Sequence, residues 1–177
     1  MGAHVSTAPH QQTLRHTPLP TRFNVASFGC LGYEFDLKHL NYVERKEIKN
    51  QIEMYKQHRK TFQYGTFYRI DADKANKVHW QSVAKDGRES IAGFYQTLTR
   101  ASESYDYLPL RGLDKEQKYT LETRAQSLFV KSFGDLVKFL IPFSIHPEGF
   151  LLRTANKYYA MTNCVEKYEG YGDALLN

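Results

Sequence analysis

This sequence has little cysteine, no long apolar run and no concentrated charge, and each shortage closes off a class of protein. Its two cysteines, Cys30 and Cys164, stand far apart without CxxC spacing. That argues against a disulfide framework and predicts free thiols in a reducing compartment, the cytoplasm. The longest apolar candidate, Leu136 to Ile145, is too short for a bilayer and is interrupted by Lys138 and Pro142, so no membrane partner is predicted. The opening MGAHVSTAPHQQ has neither the basic start nor the apolar centre of a signal peptide. A formal charge of +5 and a pI near 9.1 invite a nucleic-acid reading. However, 24 basic residues are scattered among 19 acidic ones with no basic stripe, so a nucleic-acid partner is not expected.

What is present suffices for a core: 41% of the 177 residues are hydrophobic and 14% aromatic, which excludes a disordered tail. The chain is organised around Asn41 to Ile70. Ile48, Ile52, Tyr55 and Phe62 recur at helical spacing, whereas Glu44, Lys46, Lys49, Asn50, Glu53 and Lys60 face outward. Asn41 and Glu44 form a capping-box pattern, and Gly65 is expected to end the helix in a left-handed turn. Glu53 is placed to pair with Lys49 or Lys56.

Before this helix the pattern is α/β. Met1 to Ser6 reads as a buried strand, followed by a polar loop through His10, Gln11, Gln12 and Arg15. Thr21 is a candidate N-cap for a short helix over 22–28, ended by Gly29. Gly32 to Leu37 (GYEFDL) alternates as a second strand. Strand, helix, strand, helix makes two βα units, too few to close a sheet or bury both its faces. After Gly65 the runs shorten. Thr66 to Asp71 and Val78 to Val83 read as strands, and Asp86-Gly87 as a hairpin turn. Tyr105 to Leu110, Tyr119 to Thr123, Phe150 to Thr154 and Lys157 to Met161 add strand-like runs, a spacing that predicts a β-sandwich. Ser127 to Ile145 reads equally as an edge hairpin or a short helix. Tyr168 to Asn177 ends in an apolar step, as though a strand were to follow. The predicted class is α+β: βαβα units over 1–40, which in a (β/α)8 TIM barrel would be one quarter of the ring, a joining helix over 41–64 and an antiparallel β-sandwich over 65–177. A surface helix in a single α+β domain is the plainer alternative.

The wording of the chain carries a resemblance. MGAHVS, ProHisGlnGln with Arg15, Thr17-Pro18-Leu19, Thr21-Arg22, Asn24-Val25-Ala26, Gly29 and GYEFDL, in that order, resemble the last barrel units of bacterial α-galactosidases of glycoside hydrolase family 36. Glu47 with the following Gln-Ile, Tyr55-Lys56, Arg59 and Gln63-Tyr64-Gly65 leading to Phe67-Tyr68-Arg69 are similar to that family's helix and first C-terminal strand. So are Trp80, Leu110 to Asp114 with Tyr119, and Gly172 to Asn177. Gln12, Leu14 and Phe23 depart from the pattern. The resemblance implies a retaining α-galactosidase acting on terminal α-galactosides of the raffinose or melibiose type, without a cofactor and as a homo-oligomer.

Retention needs two carboxylates about 5 Å apart, one nucleophile and one acid/base. The resemblance places them in a Lys-Trp-Asp motif and a Trp-Thr-Ser-Asp segment. Neither motif occurs in this sequence, whose single tryptophan lies in ValHisTrpGln. The chain is therefore expected to be an inactive, structural C-terminal segment that depends on a missing catalytic barrel. Met1 would match an internal methionine of the family, and closing strands would follow Asn177. The competing class is a carbohydrate-binding β-sandwich module that works alone.

Residues at the C-terminal ends of barrel strands reach the pocket. Ser6, Thr7, His10 and Asp36 are accordingly the candidate rim of the substrate pocket. Glu34 and Asp36, two apart on one predicted strand, form a carboxylate pair better read as supporting charge than as catalysts. His4, His10 and His16 with Cys30 fit no compact metal spacing, so no metal is assigned. Phe67, Tyr68, Trp80, Phe94 and Tyr95 either form a sugar-stacking platform or, as their alternation favours, a core.

Overall fold

A computed structural model describes residues 2–71, 76–98, 101, 108–129 and 149–176. Strand β1 (Gly2–Ser6) is followed by helix α1 (Leu19–Ala26), strand β2 (Cys30–Glu34), a 3-10 turn (Leu37–His39) and the long helix α2 (Tyr42–Tyr64). β1 and β2 pair in parallel, with Val5 opposite Tyr33 and Ser6 opposite Glu34. Ala3, Val5, Leu31 and Tyr33 turn toward the helices and join the core built by Leu19, Phe23, Ala26, Ile48, Tyr55 and Phe62. This is the strand–helix–strand–helix order expected from the sequence.

Two boundaries differ from expectation. α1 begins at Leu19, not after Thr21, because Pro20 sits in the first turn where no amide hydrogen is needed and its ring presets the helical φ. Leu19, Phe23 and Ala26 then fall on one buried face. β2 ends at Glu34, so GYEFDL is not one strand to Leu37. Asp36 accepts a hydrogen bond from the Lys38 amide at 2.8 Å and draws the chain into the 3-10 turn instead.

α2 has the expected start. The Glu44 amide donates to Asn41 Oδ1 at 2.9 Å, and the Asn41 amide to Glu44 Oε2 at 3.0 Å. Its end is different. Gly65 has φ −68° and ψ 168°, an extended rather than a left-handed backbone. The glycine serves close approach: a Cβ there would stand 2.4 Å from the Thr61 carbonyl and 2.6 Å from that of Val83. The chain thus passes directly from helix into β3 (Thr66–Asp71).

β3, β4 (Lys77–Val83) and β5 (Ser90–Gln96) form an antiparallel sheet in that order. The β4–β5 turn uses Gly87 at φ +70°, a region glycine enters without a Cβ clash. One face of this sheet meets the N-terminal part through Trp80, boxed edge-on by Phe28, Phe67 and Tyr95. The other carries Val83 into a second core with Leu110 and Leu113, flanked by Tyr68, Tyr119 and Leu121. β6 (Lys118–Glu122) pairs antiparallel with β9 (Lys167–Tyr171), and β7 (Ser127–Phe129) with β8 (Ala160–Thr162). α3 (Phe150–Tyr158) and α4 (Gly172–Leu176) complete the described elements of an α+β fold.

Two expected strands in this part are corrected. Phe150 to Thr154 is helical, because FLLRT does not alternate and runs into TANKY, so residues of good helix propensity dominate the segment. The start of Lys157 to Met161 completes that helix, and β8 begins only at Ala160. The apolar end of the chain forms α4, and Leu175 and Leu176 pack on the second core. Of the Tyr105 to Leu110 run, 105–107 lie outside the described residues and 108–110 form no strand; 130–145 of the run that begins at Ser127 also lie outside them.

Candidate functional site

The parallel pair determines which end of the N-terminal part can hold a site. Ser6 and Glu34 are the last partners, so Ser6, Thr7 and Asp36 emerge from the same, carboxyl end of β1 and β2. Arg22 of α1 organises this end. Its Nη1 donates to the Ser6 carbonyl, its Nε donates to the Thr17 carbonyl at 2.9 Å, and its guanidinium lies 6.0 Å from the Phe35 ring centre. Burial lowers the Arg22 pKa while Glu44 raises it. One cation therefore joins the end of β1, the far side of the following loop and the exit of β2.

The loop folds on His10. Its amide donates to the Arg15 carbonyl at 2.9 Å, and its carbonyl accepts from the Leu14 amide at 2.8 Å. His10 Nδ1 accepts from the amides of Gln12 and Thr13 at 3.3 and 3.4 Å. With Nδ1 as acceptor, the neutral ring carries its proton on Nε2 and has a donor to offer. Leu14 has φ +55° and is 77% exposed in the loop. Asp36 is already engaged: besides the Lys38 amide it meets His39 Nε2 at 3.5 Å on the surface. Because the strand ends before it, Asp36 does not share a strand face with Glu34, and the expected same-face pair is not formed. His4 lies on β1 over Gly32, facing away from the core.

A second polar cluster was not foreseen. Glu47 and Gln51, one turn apart on α2, are 1% and 0% exposed. Gln51 Nε2 donates to Glu47 Oε1 at 2.8 Å, the Ser127 amide to Glu47 Oε2 at 3.0 Å, and the Tyr33 hydroxyl to Gln51 Oε1 at 3.0 Å. Arg124 Nη1 approaches Glu47 Oε1 at 3.5 Å while its guanidinium lies 5.0 Å from the Phe23 ring centre. Burial lowers the Arg124 pKa and Glu47 opposes that shift; burial and the neighbouring Glu47 charge both push the Tyr33 phenol up. The cluster ties β2 and α2 to the segment between β6 and β7. The signal in the sequence was helical position: residues 47 and 51 precede Tyr55 by eight and four, on its face.

Comparison with known proteins agrees with both halves of this arrangement. Residues 1–65 match the Melibiase family model, and residues 77–177, more than half of the chain, match the glycosyl hydrolase family 36 C-terminal domain. The chain is 39% identical over 123 residues to α-galactosidase AgaA of Geobacillus stearothermophilus, a match covering 69% of this chain and 17% of that protein. An α-galactosidase of Lactobacillus acidophilus is 36% identical, with 70% and 17% covered. Among solved structures, the α-galactosidase of Lactobacillus brevis superposes with a TM-score of 0.66 at 40% identity, over 70% of this chain and 17% of that one. AgaA itself superposes over 96% of this chain and 21% of its own, with a TM-score of 0.64 at 28% identity. The chain thus spans about a fifth or less of the relatives it matches. With both models matched in order along one fold, the chain belongs to glycosyl hydrolase family 36.

Proposed function

We propose that this chain is the C-terminal part of a retaining α-galactosidase, contributing scaffold and pocket rim while the two catalytic carboxylates lie on polypeptide outside this sequence. In this reading residues 1–40 are the terminal units of a (β/α)8 barrel, 41–64 the helix joining the layers, and 65–177 the C-terminal antiparallel β-sandwich. The observation that carries it is the parallel β1–β2 pair, which brings Ser6, Thr7 and the His10 loop to the carboxyl ends of strands, where barrel pockets form. Its sugars are terminal α-galactosides of the raffinose or melibiose type. Two structures of variants of one relative, AgaA, contain raffinose and stachyose, which supports that choice. The free thiols Cys30 and Cys164 support a cytoplasmic location, and the assembled enzyme is a homo-oligomer. A separate sugar-binding module is disfavoured, because Trp80 is enclosed by ring edges rather than laid open as a flat platform.

The test is a chimera in which this chain replaces the matching segment of Geobacillus AgaA. Galactose release from raffinose is expected from the chimera and none from the pure 177-residue chain. Release by the pure chain would overturn the reading. In an active chimera, His10→Ala should cost up to about tenfold in kcat/KM, one hydrogen bond to a sugar hydroxyl. Unchanged kinetics would remove His10 from the rim.

A further inference from the structure

The β1–β2 pair has two faces, and only one of them is covered. Ala3, Val5, Leu31 and Tyr33 turn to the helices and enter the core. Because side chains alternate along a strand and paired residues share a face, the other side carries Gly2, His4 and Ser6 beside Cys30, Gly32 and Glu34. In the barrel proposed above that side is the interior, which bulky branched side chains ordinarily fill in layers. Here none of the side chains is branched and apolar, and Gly2 and Gly32 contribute none at all. The His4 ring lies across the space they leave: a Cβ on Gly32 would stand 3.2 Å from its Nδ1, and one on Gly2 3.6 Å from its Nε2. This stretch of wall is recessed, with the His4 ring as its floor and the last pair, Ser6 and Glu34, at its carboxyl end.

Three carboxylates stand near this end, and two are already engaged. Glu44 is held in the capping box with Asn41, and Asp36 by the Lys38 amide and His39. Glu34 is exposed, and no hydrogen bond or ion pair among the described residues involves its carboxylate. Its surroundings decide what it can hold. A phosphate or other anion is repelled by the carboxylate. A metal ion needs more ligands than are gathered, since among the described residues no group of three His, Cys, Asp or Glu side chains is placed to hold one. A hydrophobic packing partner would meet only glycines and polar groups. A neutral polyhydroxyl ligand fits: its hydroxyls donate to the two oxygens of a carboxylate, and the Ser6 hydroxyl beside them both donates and accepts.

We propose that Glu34 is a sugar-contacting, specificity-determining residue whose carboxylate oxygens accept from neighbouring hydroxyls of the bound galactoside above the His4 ring. Glu34, not Asp36, is then the carboxylate that β2 brings to the pocket. The inference rests on the function proposed above for the identity of the sugar.

The experiment uses the complete chimera with Geobacillus AgaA and reads galactose affinity by calorimetry, which requires no turnover. Glu34 belongs to neither core, so its variants keep the fold. Glu34→Ala should weaken galactose binding by about 10–100-fold through the loss of charge-assisted hydrogen bonds, and Glu34→Gln, which keeps one acceptor oxygen, by less. Monodeoxygalactoses separate contact from structure. Where the missing hydroxyl is one that Glu34 holds, the wild-type chimera should bind the deoxy sugar about tenfold or more below galactose, and Glu34→Ala should show a difference of about twofold or less. Glu53→Gln, which removes the same charge from the exposed flank of α2, should stay within about twofold of wild type. Unchanged galactose affinity in Glu34→Ala would overturn the proposal. So would the same fold-loss in that variant for galactose and for every monodeoxygalactose, the pattern of a merely structural carboxylate, or a wild-type chimera that binds no galactose. A chimera that binds galactose but releases none from raffinose would instead sink the proposed activity and leave the Glu34 assignment to stand on the binding data.

Discussion

Removing Arg124 tests whether the buried cluster joins the two parts of the chain. Arg124→Met keeps an apolar stem against Phe23 and deletes the guanidinium that stands 3.5 Å from Glu47. The Glu47 carboxylate is then left buried with only the Gln51 side chain and the Ser127 amide as donors. Breaking a buried pair by removing one member costs about 3–5 kcal/mol, because the other charge cannot return to water. Two surviving donors and the long separation place this case at the lower end, about 3 kcal/mol, or a fall in Tm of about 6–12 °C for a chain this size. Urea unfolding followed by the fluorescence of Trp80 measures it, since that ring sits where the central sheet meets the N-terminal part. Glu47→Gln should also destabilise, and the double variant should cost less than the two together by at least about 1 kcal/mol. Lys49→Met, which breaks an exposed pair, should change stability by well under about 1 kcal/mol. An Arg124→Met loss below about 0.5 kcal/mol, or strict additivity in the double variant, would refute the idea that a desolvated charge pair holds the parts together.

Gly65→Ala should destabilise by about 1–3 kcal/mol through collision of the new Cβ with two backbone carbonyls, measurable as a lower urea midpoint; an unchanged midpoint would show that the helix–strand junction relaxes freely. Asn41→Ala removes the side chain that caps the Glu44 amide and should cost about 1 kcal/mol in the same assay, with a loss of helical ellipticity. The phenols of Tyr33 and Tyr95 are held above their ordinary value of 10.0, chiefly by burial. Above that value the unfolded chain releases protons that the folded chain retains, so their contribution is complete below it and is lost as pH rises beyond. Tyr33→Phe and Tyr95→Phe should each flatten the fall of stability on the alkaline side, and an unaltered slope would mean that neither phenol is desolvated.

Much of this arrangement was legible because local rules and tertiary structure agree. The capping box at Asn41, the apolar face of Ile48, Tyr55 and Phe62, and the Asp86-Gly87 turn are short-range features, and each is found in place. Where the local signal competed with another, it failed. Asp36 alternated as a strand residue should, but its carboxylate captured the Lys38 amide and ended the strand. FLLRT read as strand-like, yet its helix propensity prevailed once the segment ran on into TANKY. Gly65 does end α2, yet with an extended backbone instead of a left-handed cap, because what it answers to is the Val83 carbonyl from a strand formed later in the chain.

By itself the sequence determined the order of strands and helices in the first 65 residues, the start of the long helix, and a wording that resembles one family without either of its catalytic carboxylate motifs. These rest on residues close together along the chain. Only the tertiary structure decided that Glu47 and Gln51 are interior and that Arg22 gathers the end of β1 with the His10 loop. The physical reason is distance along the chain. Glu47 meets Arg124 across 77 positions, and no periodicity within a helix reports which of its polar residues will find a partner that far away.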